Sequence, residues 1–101
     1  MISIVITSFN EPDNVKKAIQ CILNNKIKEK YELLVVAPDE ATEKIVGEFR
    51  KKNKQIVYFK DPGKGKSFAI NLLLKKIKSD ILILTDGDVF ISNNAVQEIL
   101  D

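Results

Sequence analysis

Four short apolar runs alternate along the chain with stretches in which apolar residues recur at helical spacing. The runs are residues 2–6, 31–37, 56–59 and 81–84, and they are rich in Ile, Leu and Val. Such runs are typical of strands that are buried on both faces. The stretches between them predict amphipathic helices, and a last helix is predicted after residue 92. The order βαβαβαβα predicts a Rossmann-like three-layer α/β/α fold with a mainly parallel sheet of about four strands.

The polar residues that follow each predicted strand are the candidates for ligand binding. In open parallel sheets, ligands bind outside the carboxyl ends of the strands. The segments at these positions are residues 7–11, Asp39 with Glu40, residues 61–66 and residues 86–88. We therefore expect these four segments to lie along one edge of the sheet.

Asp86 and Asp88 follow the fourth apolar run and are separated by Gly87. Residues two apart in extended backbone project to the same side, so the two carboxylates should converge. Like charges held close together repel unless a cation lies between them. Oxygen ligands favour Mg²⁺, Mn²⁺ or Ca²⁺ over softer metals. The pattern predicts a divalent metal site, and an acidic turn that caps the next segment is the alternative.

Residues 63–67 have the sequence Gly-Lys-Gly-Lys-Ser and lead into the third predicted helix. Backbone amides at the start of a helix bind anions, and the lysines add positive charge, so Lys66 is a candidate phosphate contact. A full P-loop needs another glycine five positions before Gly65, and Lys60 stands there instead. The P-loop match therefore fails, and a plain loop with a helix cap is the alternative.

Residues 7–11 leave the first strand as Thr-Ser-Phe-Asn-Glu, and Pro12 suits the first turn of the following helix. Two interpretations of this loop are open: contact with a bound nucleotide, or capping of the helix by Asn10 or Glu11.

The composition limits the possible chemistry. The chain has 101 residues, which allows one domain. It has no histidine and one cysteine, Cys21, which excludes histidine-based catalysis, an intrachain disulfide and a cysteine zinc cluster. The net charge is +2, and three lysine clusters lie within residues 26–30, 51–54 and 75–78. No aromatic residues interleave with these lysines to stack on bases, so we expect no nucleic-acid partner.

Membrane insertion and export are not expected from this sequence. No apolar run approaches the roughly 18 residues that a membrane span needs. The first residues lack the basic region and the small-residue cleavage site of a signal peptide. We therefore expect a cytoplasmic protein without a transmembrane segment.

Taken in order, these segments resemble the family 2 glycosyltransferases, which have the GT-A fold. The resemblance covers essentially the whole chain, but only the nucleotide-sugar half of the family's fold. The segments that carry it are residues 3–11, Gly65 with Lys66, Ala69 with Asn71, and residues 80–88, which run into a DxD motif.

The resemblance implies inverting sugar transfer from a UDP- or GDP-sugar with Mn²⁺ or Mg²⁺ as cofactor. It implies that the first loop lines the base pocket, which points to Thr7 and Phe9. It also implies that the DxD motif binds ribose, diphosphate and metal, which points to Asp86 and, for the metal, Asp88. The further residues that we expect to contact the nucleotide sugar are Asn10, Glu11, Asp39 and Lys66.

Two departures from the family pattern change what is expected. The family often carries adjacent aspartates after the second strand, one of which reads the uracil ring, whereas Ala37 and Pro38 stand there and Asp39 follows one place later. The identity of the base is therefore open. The acceptor-binding half, its later Gln/Arg/Trp-type motif and its general-base carboxylate have no counterpart, so no catalytic base can be named.

These absences predict that residues 1–101 form a single nucleotide-diphospho-sugar-binding domain, the N-terminal part of a larger glycosyltransferase fold. We expect no sugar transfer by this chain alone. Residues 81–84 would then form an open apolar edge of the sheet, which predicts a homodimer that joins two fourth strands.

Two other functions fit parts of the sequence. A Toprim-like domain pairs a glutamate after its first strand with a DxD motif and handles nucleic-acid phosphates through Mg²⁺, which would use Glu11, Asp86 and Asp88. Such domains usually place a glycine after the glutamate, and Pro12 stands there. The other alternative is a non-catalytic module that binds a nucleotide sugar.

Overall fold

The computed structural model describes residues 1–25, 27–64, 66–77 and 81–86, without the side chains of residues 66, 67 and 86. The predicted last helix and Asp88 lie outside the described residues. Within them, strands and helices alternate in the predicted order. The elements are β1 (Ile2–Thr7), α1 (Pro12–Leu23), β2 (Tyr31–Ala37), α2 (Glu40–Arg50), β3 (Ile56–Lys60), α3 (Lys66–Leu74) and β4 (Ile81–Asp86).

The four strands form one parallel sheet in the order β3-β2-β1-β4. Strand β1 is central: Ile4 pairs with Leu33 of β2 on one side and with Ile83 of β4 on the other. The chain thus moves outward from β1 to β3 and then returns to the far side of β1. This reversal of direction confirms the predicted Rossmann-like α/β fold.

Helices cover both faces of the sheet. On one face, Ile4 and Ile6 of β1 pack with Ile19 of α1 and Val46 of α2. On the other face, Val5 of β1 belongs to a second cluster that includes Ala69 and Leu73 of α3. Right-handed crossovers explain this division, since α3 accompanies the return step and must lie opposite the helices of the outward steps.

Helix α1 shows how the sequence specifies its elements. Pro12 fits its first turn, because proline has no N–H to satisfy there. Val15, Ile19 and Ile22 form an apolar stripe along the helix and are buried. The helix ends where Asn25 donates a 2.6 Å side-chain hydrogen bond to the backbone oxygen of Cys21. The amphipathic helix predicted between the first two strands is confirmed.

Three strands extend further than the apolar runs that predicted them. Strand β1 includes Thr7, β3 includes Lys60, and β4 includes Asp86. The predicted strands therefore end one or two residues too early, because strand pairing uses backbone groups and continues past the last apolar side chain. The consequence is that Thr7 and Asp86 are held in the sheet itself.

Strand β4 pairs only with β1 among the strands that the structure describes. Ile81 and Leu84 are 43% and 52% exposed at this edge. The predicted apolar edge is therefore present in this part of the chain, and the homodimer stays a prediction. None of the described helices is both long and apolar enough to cross a membrane.

Candidate nucleotide-binding site

The site begins where the sheet reverses its direction. Thr7 at the end of β1 pairs in register with Asp86 at the end of β4. Helix α1 leaves β1 on one face of the sheet, and α3 lies on the other face before β4. The connections thus diverge at this point, and open α/β sheets bind ligands in the crevice that such a divergence forms at the carboxyl ends of the two strands.

The loop that follows β1 presents an aromatic ring to solvent. The Ser8 N–H donates a 2.9 Å hydrogen bond to the backbone oxygen of Val36, so the exit of β1 remains attached to β2. Phe9 is 70% exposed. Asn10 has a φ angle of 52°, in the left-handed region that non-glycine residues rarely adopt. The backbone turns at Asn10, directly after the exposed ring.

Helix capping does not account for the polar residues of this loop. Glu11 occupies the N-cap position of α1, but its side chain makes no capping hydrogen bond. The backbone oxygen of Glu11 accepts the first helical hydrogen bond, from the Val15 N–H at 3.0 Å. The side chains of the loop thus remain candidates for ligand contact.

Ser8 carries an unusual polar atom. Its Oγ is buried and has no hydrogen-bond partner among the described residues. Buried hydroxyls normally have a partner, because an unsatisfied one costs free energy. The sequence gives no signal of this, since a serine after a strand is an ordinary loop residue.

Asp39 lies beside the loop, but its carboxylate contacts the protein itself. Oδ1 accepts a 3.2 Å hydrogen bond from the Asn10 N–H. Oδ2 accepts from the Thr42 N–H at 3.1 Å and from the Thr42 hydroxyl at 2.5 Å, which caps α2. Partial burial on its own raises the pKa of the Asp39 carboxyl, but the hydrogen bonds from Thr42 and Asn10 outweigh it and lower the pKa below its ordinary value.

Tyr58 closes the ends of β2 and β3. Its hydroxyl donates a 2.5 Å hydrogen bond to the backbone oxygen of Ala37, which also accepts from the Asp61 N–H at 3.1 Å. Burial, together with the nearby carboxylates of Glu43, Asp39 and Asp61, raises the pKa of Tyr58 to about 12. The sequence does not reveal this contact, because it depends on the register between two strands.

The glycine-rich turn leads from the end of β3 to α3, as predicted. Asp61 Oδ1 accepts a 2.8 Å hydrogen bond from the Gly63 N–H, and Gly63 has a φ angle of 80° that suits glycine. The ammonium of Lys64 lies 5.2 Å from the centre of the Phe68 ring. Helix α3 begins at Lys66, but the side chain of Lys66 is outside the description, so its phosphate contact stays a prediction.

The structure brings most of the predicted site residues to one edge of the sheet. They are Thr7, Phe9, Asn10, Glu11, Asp39 and the backbones of Lys66 and Asp86, while Asp88 lies outside the described residues. Within the described part, no group of three acidic or cysteine residues is placed to hold a metal ion. The metal site predicted at Asp86 and Asp88 therefore stays a prediction.

Comparisons with known proteins agree with this architecture. The family described as "Glycosyl transferase family 2" matches residues 3–101. No curated protein sequence matches the chain. Solved structures with a similar fold include a mannosyltransferase, PcManGT, from Pyrobaculum calidifontis in complex with GDP-Man and Mn²⁺, with a TM-score of 0.82 and 20% identity. They also include TarS from S. aureus, with a TM-score of 0.80 and 16% identity.

The chain corresponds to a part of these larger proteins. It is covered over 99% of its length by the mannosyltransferase match, but it spans only 32% of that chain. The match to TarS covers 98% of this chain and 18% of TarS. For the shorter TarS 1-349 the two shares are 98% and 31%, with a TM-score of 0.84 and 17% identity. At these identities, the matches show the GT-A fold.

Proposed function

Because the chain belongs to glycosyl transferase family 2, we propose that it binds a nucleotide-diphosphate sugar in the crevice between the carboxyl ends of β1 and β4. The observation that carries this proposal is the register that places Asp86 beside Thr7 at the reversal of the sheet. The mannosyltransferase of similar fold, which was solved with GDP-Man and Mn²⁺, supports a nucleotide-sugar ligand and a divalent metal. The family assignment favours this function over the Toprim-like alternative.

The base of the nucleotide is assigned to the loop after β1. Phe9 offers a large aromatic face that is 70% exposed, and aromatic faces stack on bases of any identity. Thr7 lies two residues earlier, at the end of the strand. Asn10 and Glu11 complete the loop, and the Glu11 side chain makes no capping hydrogen bond at the start of α1.

The diphosphate is assigned to the side of the crevice where β4 ends. Asp86 and Asp88 supply carboxylate oxygens, which suit Mn²⁺ or Mg²⁺. Asp86 fits this role because the sheet holds its backbone at the crevice. When bound, the metal would neutralise the diphosphate as leaving group. Lys66 at the start of α3 is the proposed additional phosphate contact.

We propose that these residues form the nucleotide-sugar half of an inverting glycosyltransferase and do not transfer sugar on their own. The chain spans 32% of the mannosyltransferase that it resembles in fold. No residue is identified that could deprotonate an acceptor hydroxyl. Loss of a positioned base typically costs about 10² to 10⁴ in rate. Sugar transfer at ordinary turnover by the purified chain would contradict this proposal, whereas slow hydrolysis of the donor would not.

Calorimetry with UDP and GDP, in the presence and absence of Mn²⁺, tests the binding function. We expect binding only with the metal, and a loss of at least about tenfold in affinity for Asp88→Asn, because one ligand charge is removed. Asp61→Asn is the matched control: it lies at the same edge of the sheet and keeps the acceptor for the Gly63 N–H. Binding that ignores Mn²⁺, or that survives Asp88→Asn unchanged, would remove the metal site.

Two further measurements separate the alternatives. Binding of duplex DNA with Mg²⁺, without nucleotide-sugar binding, would favour the Toprim-like function. Sugar transfer by a longer chain that includes an acceptor-binding half would exclude a purely non-catalytic module. The first measurement separates a nucleotide sugar from a nucleic acid as the ligand, and the second separates a catalytic from a non-catalytic role.

We also propose that two copies of this chain associate through β4. Ile81 and Leu84 are exposed at the edge of the described sheet, and an unpaired apolar edge favours pairing with another strand. Sedimentation at high protein concentration tests this proposal. A dimer that Leu84→Lys converts to a monomer is expected, and a wild-type chain that remains monomeric would contradict it.

A further inference from the structure

The carboxylate of Asp39 joins two separate segments of the site. Its Oδ1 accepts from the N–H of Asn10 in the loop after β1, at 3.2 Å. Its Oδ2 accepts both the N–H and the hydroxyl of Thr42 in α2, at 3.1 and 2.5 Å. Thr42 is fully buried, so this end of the contact is anchored in the interior. Asp39 thus connects an exposed loop to a fixed helix.

The residue that Asp39 holds is the one with unusual backbone geometry. Asn10 has a φ angle of 52°, whereas most non-glycine residues avoid this region. A strained conformation persists only when the surrounding contacts enforce it. The hydrogen bond to Asp39 is such a contact, because it fixes the direction of the Asn10 N–H. Phe9 precedes Asn10 directly, so the same bond restrains the peptide group that joins Asn10 to the exposed Phe9.

We propose that Asp39 is a positioning residue that presents Phe9 to the nucleotide, instead of a residue that reads the base. This inference rests on the proposed function of the crevice. Three protein donors already occupy the Asp39 carboxylate, which leaves it poorly placed to accept a ring N–H as well. A positioning role predicts that Asp39 affects all nucleotides alike, whereas a base-reading role predicts an effect that depends on the base.

Asp39→Ser separates the contact with the loop from the cap of α2. Serine is as good an N-cap as aspartate, so it keeps a hydrogen bond to the Thr42 N–H. Its shorter side chain does not reach the Asn10 N–H. We expect Mn²⁺-dependent affinity for UDP, GDP and ADP to fall by one common factor, on the order of tenfold. Affinity for inorganic pyrophosphate with Mn²⁺ should stay the same, because pyrophosphate has no base to stack on Phe9.

The conformation of Asn10 provides a second test. Glycine adopts a positive φ angle without strain, so Asn10→Gly should make the loop depend less on Asp39. Asp39→Ser should then weaken nucleotide binding less in the Asn10→Gly background than in the wild type. Equal losses in the two backgrounds, or a loss confined to one base, would overturn the positioning role.

Hydrogen exchange tests the same contact without any ligand. The Asn10 amide should be protected in the wild type and exchange on the order of tenfold faster in Asp39→Ser. Thr42→Val is the control, because it removes the hydroxyl at the helix and leaves the Asn10 contact in place. Unchanged Asn10 protection in Asp39→Ser would overturn the inference. Absence of nucleotide binding by the wild type, with faster exchange in the variant, would instead refute only the proposed function.

Discussion

The carboxyl edge of the sheet has two halves that differ in how their polar groups are used. In the half formed by β2 and β3, Asp39, Tyr58 and Asp61 all bond to the protein's own backbone. We call this the bonded half. In the half formed by β1 and β4, Phe9 is exposed and Ser8 Oγ has no partner among the described residues. We call this the open half.

One edge of the sheet thus has polar groups that stabilise the fold and, beside them, groups that no contact in the described part of the chain uses. The polar groups of the bonded half are satisfied by hydrogen bonds within the protein. Such a network favours a rigid structure with few free donors or acceptors for a ligand. The open half has an exposed aromatic ring on which a ligand could stack, and it lies where the sheet reverses its direction. Asp39 belongs to the bonded half but contacts the loop of the open half through Asn10.

The largest effect on stability is expected when the carboxylate of Asp39 is removed from the bonded half. Asp39→Ala removes the cap of α2 and the contact with Asn10 together. We expect the free energy of unfolding to fall by about 2 kcal/mol, since a lost N-cap costs about 1 kcal/mol and a lost hydrogen bond a similar amount. Urea denaturation measures it. Asp39→Ser should lose about half as much, because it keeps the cap and loses the contact with Asn10.

A smaller loss is expected at Tyr58. Tyr58→Phe removes the hydroxyl that bonds to Ala37, but the Ala37 oxygen keeps its hydrogen bond from the Asp61 N–H. The free energy of unfolding should therefore fall by about 1 kcal/mol, the usual net value of one hydrogen bond. Thermal unfolding checks this. Nucleotide affinity should not change, and a large change would mean that the bonded half takes part in recognition.

The open half should respond in the opposite direction. Ser8→Ala removes a buried hydroxyl that has no partner in the described part of the chain. We expect stability to stay the same or to rise by up to about 1 kcal/mol, because an unsatisfied polar group is removed. Calorimetric unfolding measures the change. A loss of stability would show that the hydroxyl has a partner, and Ser8→Thr serves as the variant that keeps it.

The smallest effect concerns the pH dependence of the Asp39 contact. Its pKa is lowered in the folded state from an ordinary value of 3.8, so the ionised form stabilises the fold. This contribution is complete above pH 3.8 and is lost as the pH falls through the folded-state pKa. The stability difference between the wild type and Asp39→Ser should therefore shrink on acidification below pH 3.8. Denaturation at pH 6 and at pH 3 compares the two, and a difference that is independent of pH would contradict the charge assignment.

The sequence predicts the fold well because the fold depends on local patterns. The four apolar runs and the amphipathic stripe of α1 each specify an element, and the alternation of strands and helices specifies a parallel sheet. The ends of the strands were harder to predict. Thr7 and Asp86 are polar, and the apolar pattern stops before the backbone pairing does.

For the candidate site, the sequence predicts which segments lie at the carboxyl edge of the sheet. The rule that ligands bind at the carboxyl ends of strands led to residues 7–11 and 86–88, and the family resemblance pointed to Thr7, Phe9 and Asp86 within them. What the sequence could not show is which polar groups are already satisfied. Asp39 was a candidate ligand contact, yet its carboxylate bonds to Asn10 and Thr42, which lie 29 residues before it and 3 residues after it. Such contacts depend on register and on loop conformation, which no local pattern encodes.

The central position of β1 has a consequence for the order in which the protein folds. Ile2 pairs with Tyr31, which is 31 − 2 = 29 residues away, and with Ile81, which is 81 − 2 = 79 residues away. Closing the longer loop costs about 0.9 kcal/mol more chain entropy. Strand β1 should therefore pair with β2 before it pairs with β4. Until β4 pairs, the other edge of β1 is exposed. In pulse-labelling during refolding, the amides of Leu34 and Val36, which face β1, should gain protection before those of Ile83 and Thr85. Simultaneous protection would show that the sheet forms in one step.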